Sequence, residues 1–140
     1  MRDRLVSGQQ WSDTAESRMI DHVSIPVRDL AAGAAFYENA LAPLGYKKLI
    51  ERPASIGFGK KYPELWLNLR ADMPAAGANP GAHVALRAAS QEAVRAFHAA
   101  GLAHGGSGDG DPGPRQAAMT TYFGAFIRDP DGNKIEALTF

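Results

Sequence analysis

The sequence predicts an α+β protein made of two copies of one strand–helix–strand–strand–strand unit. Two observations carry this. Shifting the numbering by 61 lays His22-Val23 on His83-Val84, Ala32, Ala35 and Phe36 on Ala93, Ala96 and Phe97, and Leu41, Ala42 and Gly45 on Leu102, Ala103 and Gly106. Each copy also runs from an alternating segment through a capped, 3.6-periodic one to further short alternating segments. A unit of about 55 residues buries too little surface to stand alone, so the two must pack.

The first strand begins at Met19 and alternates Ile20, His22, Ser24 and Pro26 with Asp21, Val23, Ile25 and Val27. Asp29 is placed as an N-cap, and a helix is expected over Leu30–Leu41 with Leu30, Ala34, Tyr37 and Leu41 on one stripe, stopped by Pro43 and Gly45. Strands are expected over Tyr46–Glu51, Ile56–Gly59 and Glu64–Leu69, the last reached through Lys60–Pro63. In the second copy Ser90 caps a helix over Gln91–Leu102. Gly105–Pro114 is too rich in Gly, Asp and Pro to predict regular structure and is expected to be a loop. Strands follow over Thr121–Arg128 and Lys134–Phe140, joined by the turn Asp129-Pro-Asp-Gly-Asn133. The domain expected is thus 19–140, with units 19–72 and 82–140 and a linker over 73–81. Residues 1–18 are polar apart from Leu5, Val6 and Trp11 and are expected to be an arm, free or docked through Trp11.

Fifteen basic residues balance 15 acidic ones, which gives no electrostatic footprint for nucleic acid. No apolar run is long enough to span a membrane, and no signal peptide is evident at the start. With no cysteine the chain has no disulfide, thiolate metal site or thiol nucleophile. These features predict a soluble, cytoplasmic protein with no nucleic-acid or membrane partner.

The segments Ile20–Leu30 with Ala35-Phe-Tyr37, His83-Val-Ala-Leu86, and Phe126-Ile-Arg-Asp-Pro-Asp-Gly-Asn-Lys-Ile-Glu136 resemble the vicinal oxygen chelate superfamily, which includes glyoxalase I, extradiol dioxygenases and bleomycin-resistance proteins. The resemblance covers residues 19–140. It implies a partly open barrel of mixed sheet with the helices outside, a homodimer, and a divalent metal at the mouth of the sheet. Carried over residue by residue, it implies His22, His83 and Glu136 as ligands. Two imidazoles and a carboxylate suit iron, zinc, nickel or manganese and leave positions open for substrate. Glu136 could also move a proton in a lyase or dioxygenase reaction.

Two departures accompany the match. Trp66 occupies the position of a fourth, first-unit ligand, where it cannot ligate, and Met119 stands where relatives often carry a histidine. Strand alternation puts Glu64, Trp66 and Asn68 on the cavity face and Leu65, Leu67 and Leu69 under the helices. Trp66, Phe58 and Tyr122 are candidate cavity residues, and Arg115 a candidate clamp for an anion. The alternative is a metal-free binding protein in which those aromatics form the pocket and the His/Glu trio is inherited scaffold. His98 and His104 are expected at the surface.

Overall fold

A computed structural model describes residues 19–74 and 81–140. The arm over 1–18, with Trp11, and most of the linker lie outside the described residues. The order is β1 (Val23–Val27), α1 (Leu30–Leu41), β2 (Lys47–Arg52), β3 (Ser55–Gly59), β4 (Pro63–Leu69), β5 (Val84–Arg87), α2 (Gln91–Ala103), β6 (Ser107–Gln116), β7 (Thr121–Arg128) and β8 (Lys134–Thr139). Two mixed four-stranded sheets result, ordered β1-β4-β3-β2 and β5-β8-β7-β6. In each, the first strand pairs parallel with the last and the other pairs are antiparallel. The expected duplicated α+β fold is found, and its two sheets do not close into a barrel. Among the described residues no helix is long and apolar enough to cross a membrane.

Both helices start as the sequence predicts. The Asp29 side chain accepts from the Ala32 N–H at 3.0 Å, and the Ser90 hydroxyl accepts from the Ala93 N–H at 3.1 Å. Gly45 ends the first helical segment with φ 86°, a left-handed turn that favours glycine. Each helix covers one face of its sheet. Leu65 and Leu67 lie under the helical layer, as do Phe123, Ala125, Ile127, Ile135 and Ala137 from the second sheet. The residues between them in sequence are left on the opposite, open faces.

One core spans both halves. α1 packs on α2, and the cluster that holds Phe36 and Tyr37 also holds Val94 and Phe97. The β7–β8 turn is fastened to the first unit. Arg28 pairs with Asp131 at 3.0 Å, and the Asn133 side chain donates to the Pro26 carbonyl at 2.9 Å. Buried Asp129 accepts four bonds: from the backbone of Asp131 and Asn133, from the Asn133 side chain, and from the Tyr37 hydroxyl at 2.7 Å. Tyr37 itself is fully buried.

Two expectations are corrected. Gly105–Pro114 is not a loop, because Ser107–Gln116 forms β6 along β7. β6 is an edge strand, so Pro112 and Pro114 need supply no N–H to a further neighbour, and register shifts around Gly110 absorb the irregular spacing. His98 is not at the surface; it is 8% exposed on the sheet side of α2, under Gly108 of β6. The strand that sequence reading missed is what covers it.

Burial raises the Asp129 pKa despite its four donors, so ionising it in the fold costs stability as pH rises through that raised value. The Tyr37 hydroxyl acts in the other direction by favouring the charged form. Tyr37→Phe should therefore cost about 1.5–3 kcal/mol near pH 7, the worth of a hydrogen bond to a charged group, and less near pH 3, where Asp129 is protonated. Urea midpoints of the two proteins at both pH values, with unchanged m, check this.

Candidate functional site

The open face of the second sheet gathers the polar chemistry. Along β8 the side chains of Ile135 and Ala137 enter the core, so Glu136 between them points to the open face. Its partners in register are Ala85 on β5 and Phe126 on β7. Glu136 is only 3% exposed there, and both of its oxygens are engaged. Oε2 accepts from the Tyr122 hydroxyl at 2.8 Å, and Oε1 lies 3.1 Å from His83 Nε2.

Glycine makes the Tyr122 contact possible. Gly124 follows Tyr122 on the same face, and a Cβ there would stand 2.9 Å from the Tyr122 ring and 3.2 Å from Glu136 Oε2. Burial, then the Glu136 carboxylate, raises the Tyr122 pKa, while the Arg115 charge lowers it. The Tyr122 hydroxyl is thus kept protonated and donating at neutral pH. Arg115 sits opposite Tyr122 in register, and its guanidinium lies 5.9 Å from the Phe126 ring centre. The His83 ring meets that same phenyl edge-on at 5.3 Å.

Proton bookkeeping makes the His83–Glu136 contact chemically informative. His83 Nδ1 lies 3.0 Å from the Gly81 carbonyl, which can only accept, so Nδ1 carries the proton. A neutral ring then turns the lone pair of Nε2 toward the Glu136 carboxylate. Two acceptors face each other unless a proton or a cation lies between them. A backbone carbonyl that fixes the far nitrogen of an imidazole is also how metal-ligating histidines are oriented.

The first sheet presents a different set. His22 precedes β1, and its Nδ1–H donates to Asp21 at 2.7 Å. Asp21 also accepts from the Tyr62 hydroxyl at 2.8 Å, and these two donors lower its pKa. Ser24 pairs with Trp66 just as Ala85 pairs with Glu136, so Trp66 holds the first-unit position equivalent to the carboxylate. The expected alternation is found, with Leu65 and Leu67 in the core and Trp66 on the open face. The indole rests over Gly57, whose absent Cβ would lie 3.2 Å from the ring, and the Arg52 guanidinium is 5.3 Å from its centre.

Of the candidate residues, His83, Glu136, Tyr122 and Arg115 are thus brought to one face. His22 and His83 border a common cavity of about 660 Å³, floored by Leu41, Phe58 and Leu65. Trp66 and Glu136 do not border it. Phe58 faces α1 at 1% exposure and packs near Tyr37. Among the described residues no three His, Asp or Glu side chains converge as a metal cluster. Met119 is an exposed residue beside β7. Sequence reading passed over Phe126 and Gly124; alternation along Thr121–Arg128 puts both on the face of Tyr122.

Residues 19–137 match the model of the Glyoxalase/Bleomycin resistance protein/Dioxygenase superfamily. A glyoxalase/bleomycin resistance protein from Albidiferax ferrireducens is 33% identical, with TM-score 0.77 over 86% of this chain and 98% of that one. A glyoxalase family protein from Enterococcus faecalis, 24% identical, covers 87% of this chain and 98% of its own with TM-score 0.62. A lactoylglutathione lyase from Agrobacterium tumefaciens, 22% identical, covers 86% and 92% with TM-score 0.59. These last two likenesses show the fold alone. No curated protein matches the sequence.

The Tyr122–Glu136–Arg115 coupling predicts opposite effects from two variants. Glu136→Gln removes the acceptor charge that opposes phenolate formation, so the Tyr122 pKa should fall. Arg115→Gln removes the cation that favours it, so the pKa should rise. NMR titration of the Tyr122 ring carbons reads both.

Proposed function

The chain belongs to the glyoxalase/bleomycin resistance protein/dioxygenase superfamily, and within it we propose that it is a metal-dependent enzyme acting on a small oxygen-rich molecule. The reaction is of the lyase or dioxygenase type. The observation that carries this reading is the buried Glu136, held between His83 Nε2 and the Tyr122 hydroxyl on the open face.

His83 and Glu136 have the donor chemistry of a divalent site: an Nε2 lone pair oriented by a carbonyl, and a carboxylate oxygen 3.1 Å away. His22 is the third ligand in this proposal. It and His83 border one cavity, and among the described residues its Nε2 has no hydrogen-bond partner. In a homodimer the His22 that joins a given His83–Glu136 pair can come from the second copy. A bound divalent ion supplies Lewis-acid polarisation of neighbouring substrate oxygens.

The chain's own groups do the rest. Glu136 Oε1, when not engaged as a ligand, takes a proton from, or returns one to, a substrate carbon or oxygen placed beside it. The Tyr122 hydroxyl holds Oε2 and fixes the plane of the carboxylate. His83, anchored through Nδ1–H, keeps its Nε2 on the reacting side. Burial of Glu136 limits access of water to that exchange.

A second reading is a metal-free binding protein. What favours it is Trp66 at the first-unit position equivalent to Glu136, with a large apolar face in place of a ligand. The two separate on metal content. The enzyme reading expects about one divalent ion per site in protein purified without chelator, lost in His83→Ala and in Glu136→Gln. Protein that holds no metal after incubation with iron, zinc, nickel and manganese, yet binds aromatic ligands that quench tryptophan fluorescence, would overturn it.

A further inference from the structure

β6 has an unusual composition, Ser-Gly-Asp-Gly-Asp-Pro-Gly-Pro-Arg-Gln, and two of its three glycines flank one side chain. A Cβ at Gly110 would stand 3.3 Å from Arg115 Nη2 and 3.0 Å from the Phe126 ring. A Cβ at Gly113 would stand 3.3 Å from Arg115 Nη1. The strand thus leaves room for the guanidinium to fold back beside Phe126. Once there it is pinned by two carbonyls, donating from Nη2 to Asp111 at 2.6 Å and from Nη1 to Pro114 at 3.2 Å.

Neither partner carries charge. Among the described residues no carboxylate pairs with Arg115, although Arg128 and Lys134 nearby share Asp109 at 3.0 and 3.1 Å. The Asp111 carboxylate is almost fully exposed and lies 3.9 Å from His98, and it forms no ion pair with Arg115, which reaches the carbonyl of that residue instead. Lys134 lies 4.6 Å from the centre of the Phe126 ring that Arg115 also faces. Arg87 stands 5.7 Å from the Phe140 ring, which in turn neighbours Tyr122. Against these cations stand Glu136 and the shared Asp109. Two of the five guanidinium N–H groups are used, so a forked set remains for a ligand.

We propose that Arg115 is a substrate-binding residue that anchors an oxyanion, so that the site takes an acidic small molecule, carrying a carboxylate, phosphoryl or similar group, and holds its body against Tyr122 and Glu136. The proposal rests on the open face of the second sheet being the site, as in the function proposed above, but not on the metal. A half-buried cation without a counter-charge, immobilised by neutral acceptors, binds an anion without first breaking an ion pair.

Benzenesulfonate is a suitable probe, because a sulfonate ligates metals poorly, and methyl phenyl sulfone is its neutral counterpart. Binding is measured by calorimetry on the protein as purified and again after dialysis against chelator. The sulfonate should bind at least tenfold more tightly than the sulfone. Arg115→Gln should bring it to the level of the sulfone, and Arg115→Lys, which keeps the charge but not the fork, should fall between. Metal content per chain should be the same in all three proteins. Equal binding of the two probes, no binding of the sulfonate, or sulfonate affinity unchanged in Arg115→Gln would overturn the proposal. The Arg115 dependence is expected with and without metal, so a metal-free protein would sink the enzyme reading and leave the anchor standing.

Discussion

The bond from the Tyr37 hydroxyl to Asp129 joins two half-domains at the point where neither can bury enough surface alone. Tyr37 comes from the first helix and Asp129 from the last hairpin, 92 positions away. Around that contact the turn collects Asp131 for Arg28 and Asn133 for the Pro26 carbonyl. The polar groups are buried but mutually satisfied, which makes the joint directional as well as stabilising. It orients β7 and β8, and through them Tyr122 and Glu136, with respect to α1 and the first sheet. A change at Tyr37 is therefore a change to the frame that carries the chemistry.

Duplication then supplies two open faces, and substitution makes them unlike. The first-sheet position equivalent to Glu136 holds Trp66. Opposite Trp66 lies Gly57, and opposite Glu136 lies Phe126, so an aromatic ring occupies the same strand pair in both units but on opposite members. One half offers a broad indole with Arg52 beside it, and the other a carboxylate gripped by an imidazole and a phenol. A fold with internal symmetry thus carries an asymmetric site.

The sequence makes the duplication legible because helix caps and periodicity are local. Asp29 and Ser90 can be read as caps, and Leu65 and Leu67 as core residues, without knowing what they meet. Strand alternation also suffices to place Trp66 and Glu136 on open faces. β6 was not legible, since an edge strand pairs on one side only and tolerates glycine and proline that a central strand would reject. The burial of His98 failed with it, because its cover is that strand. The contacts that orient His83 toward Glu136 were beyond sequence reading as well. They depend on where the Gly81 carbonyl ends up, a matter of backbone path rather than residue type.

The prolines of β6 also decide how the molecule can meet other chains. A sheet edge with free N–H and C=O groups is a template for an incoming strand. In the second sheet the outer strands are β5 and β6, and β6 presents Pro112 and Pro114, residues without an N–H, along a bulged course. Strand addition there is suppressed. In the first sheet β1 has Pro26 in its path, with the carbonyl of that residue already taken by Asn133. The outer strands without a proline are β2, which is bulged between Lys48 and Ile50, and the short β5. The glycine- and proline-rich segment that cradles a cation on one side therefore also guards the fold against edge-to-edge aggregation.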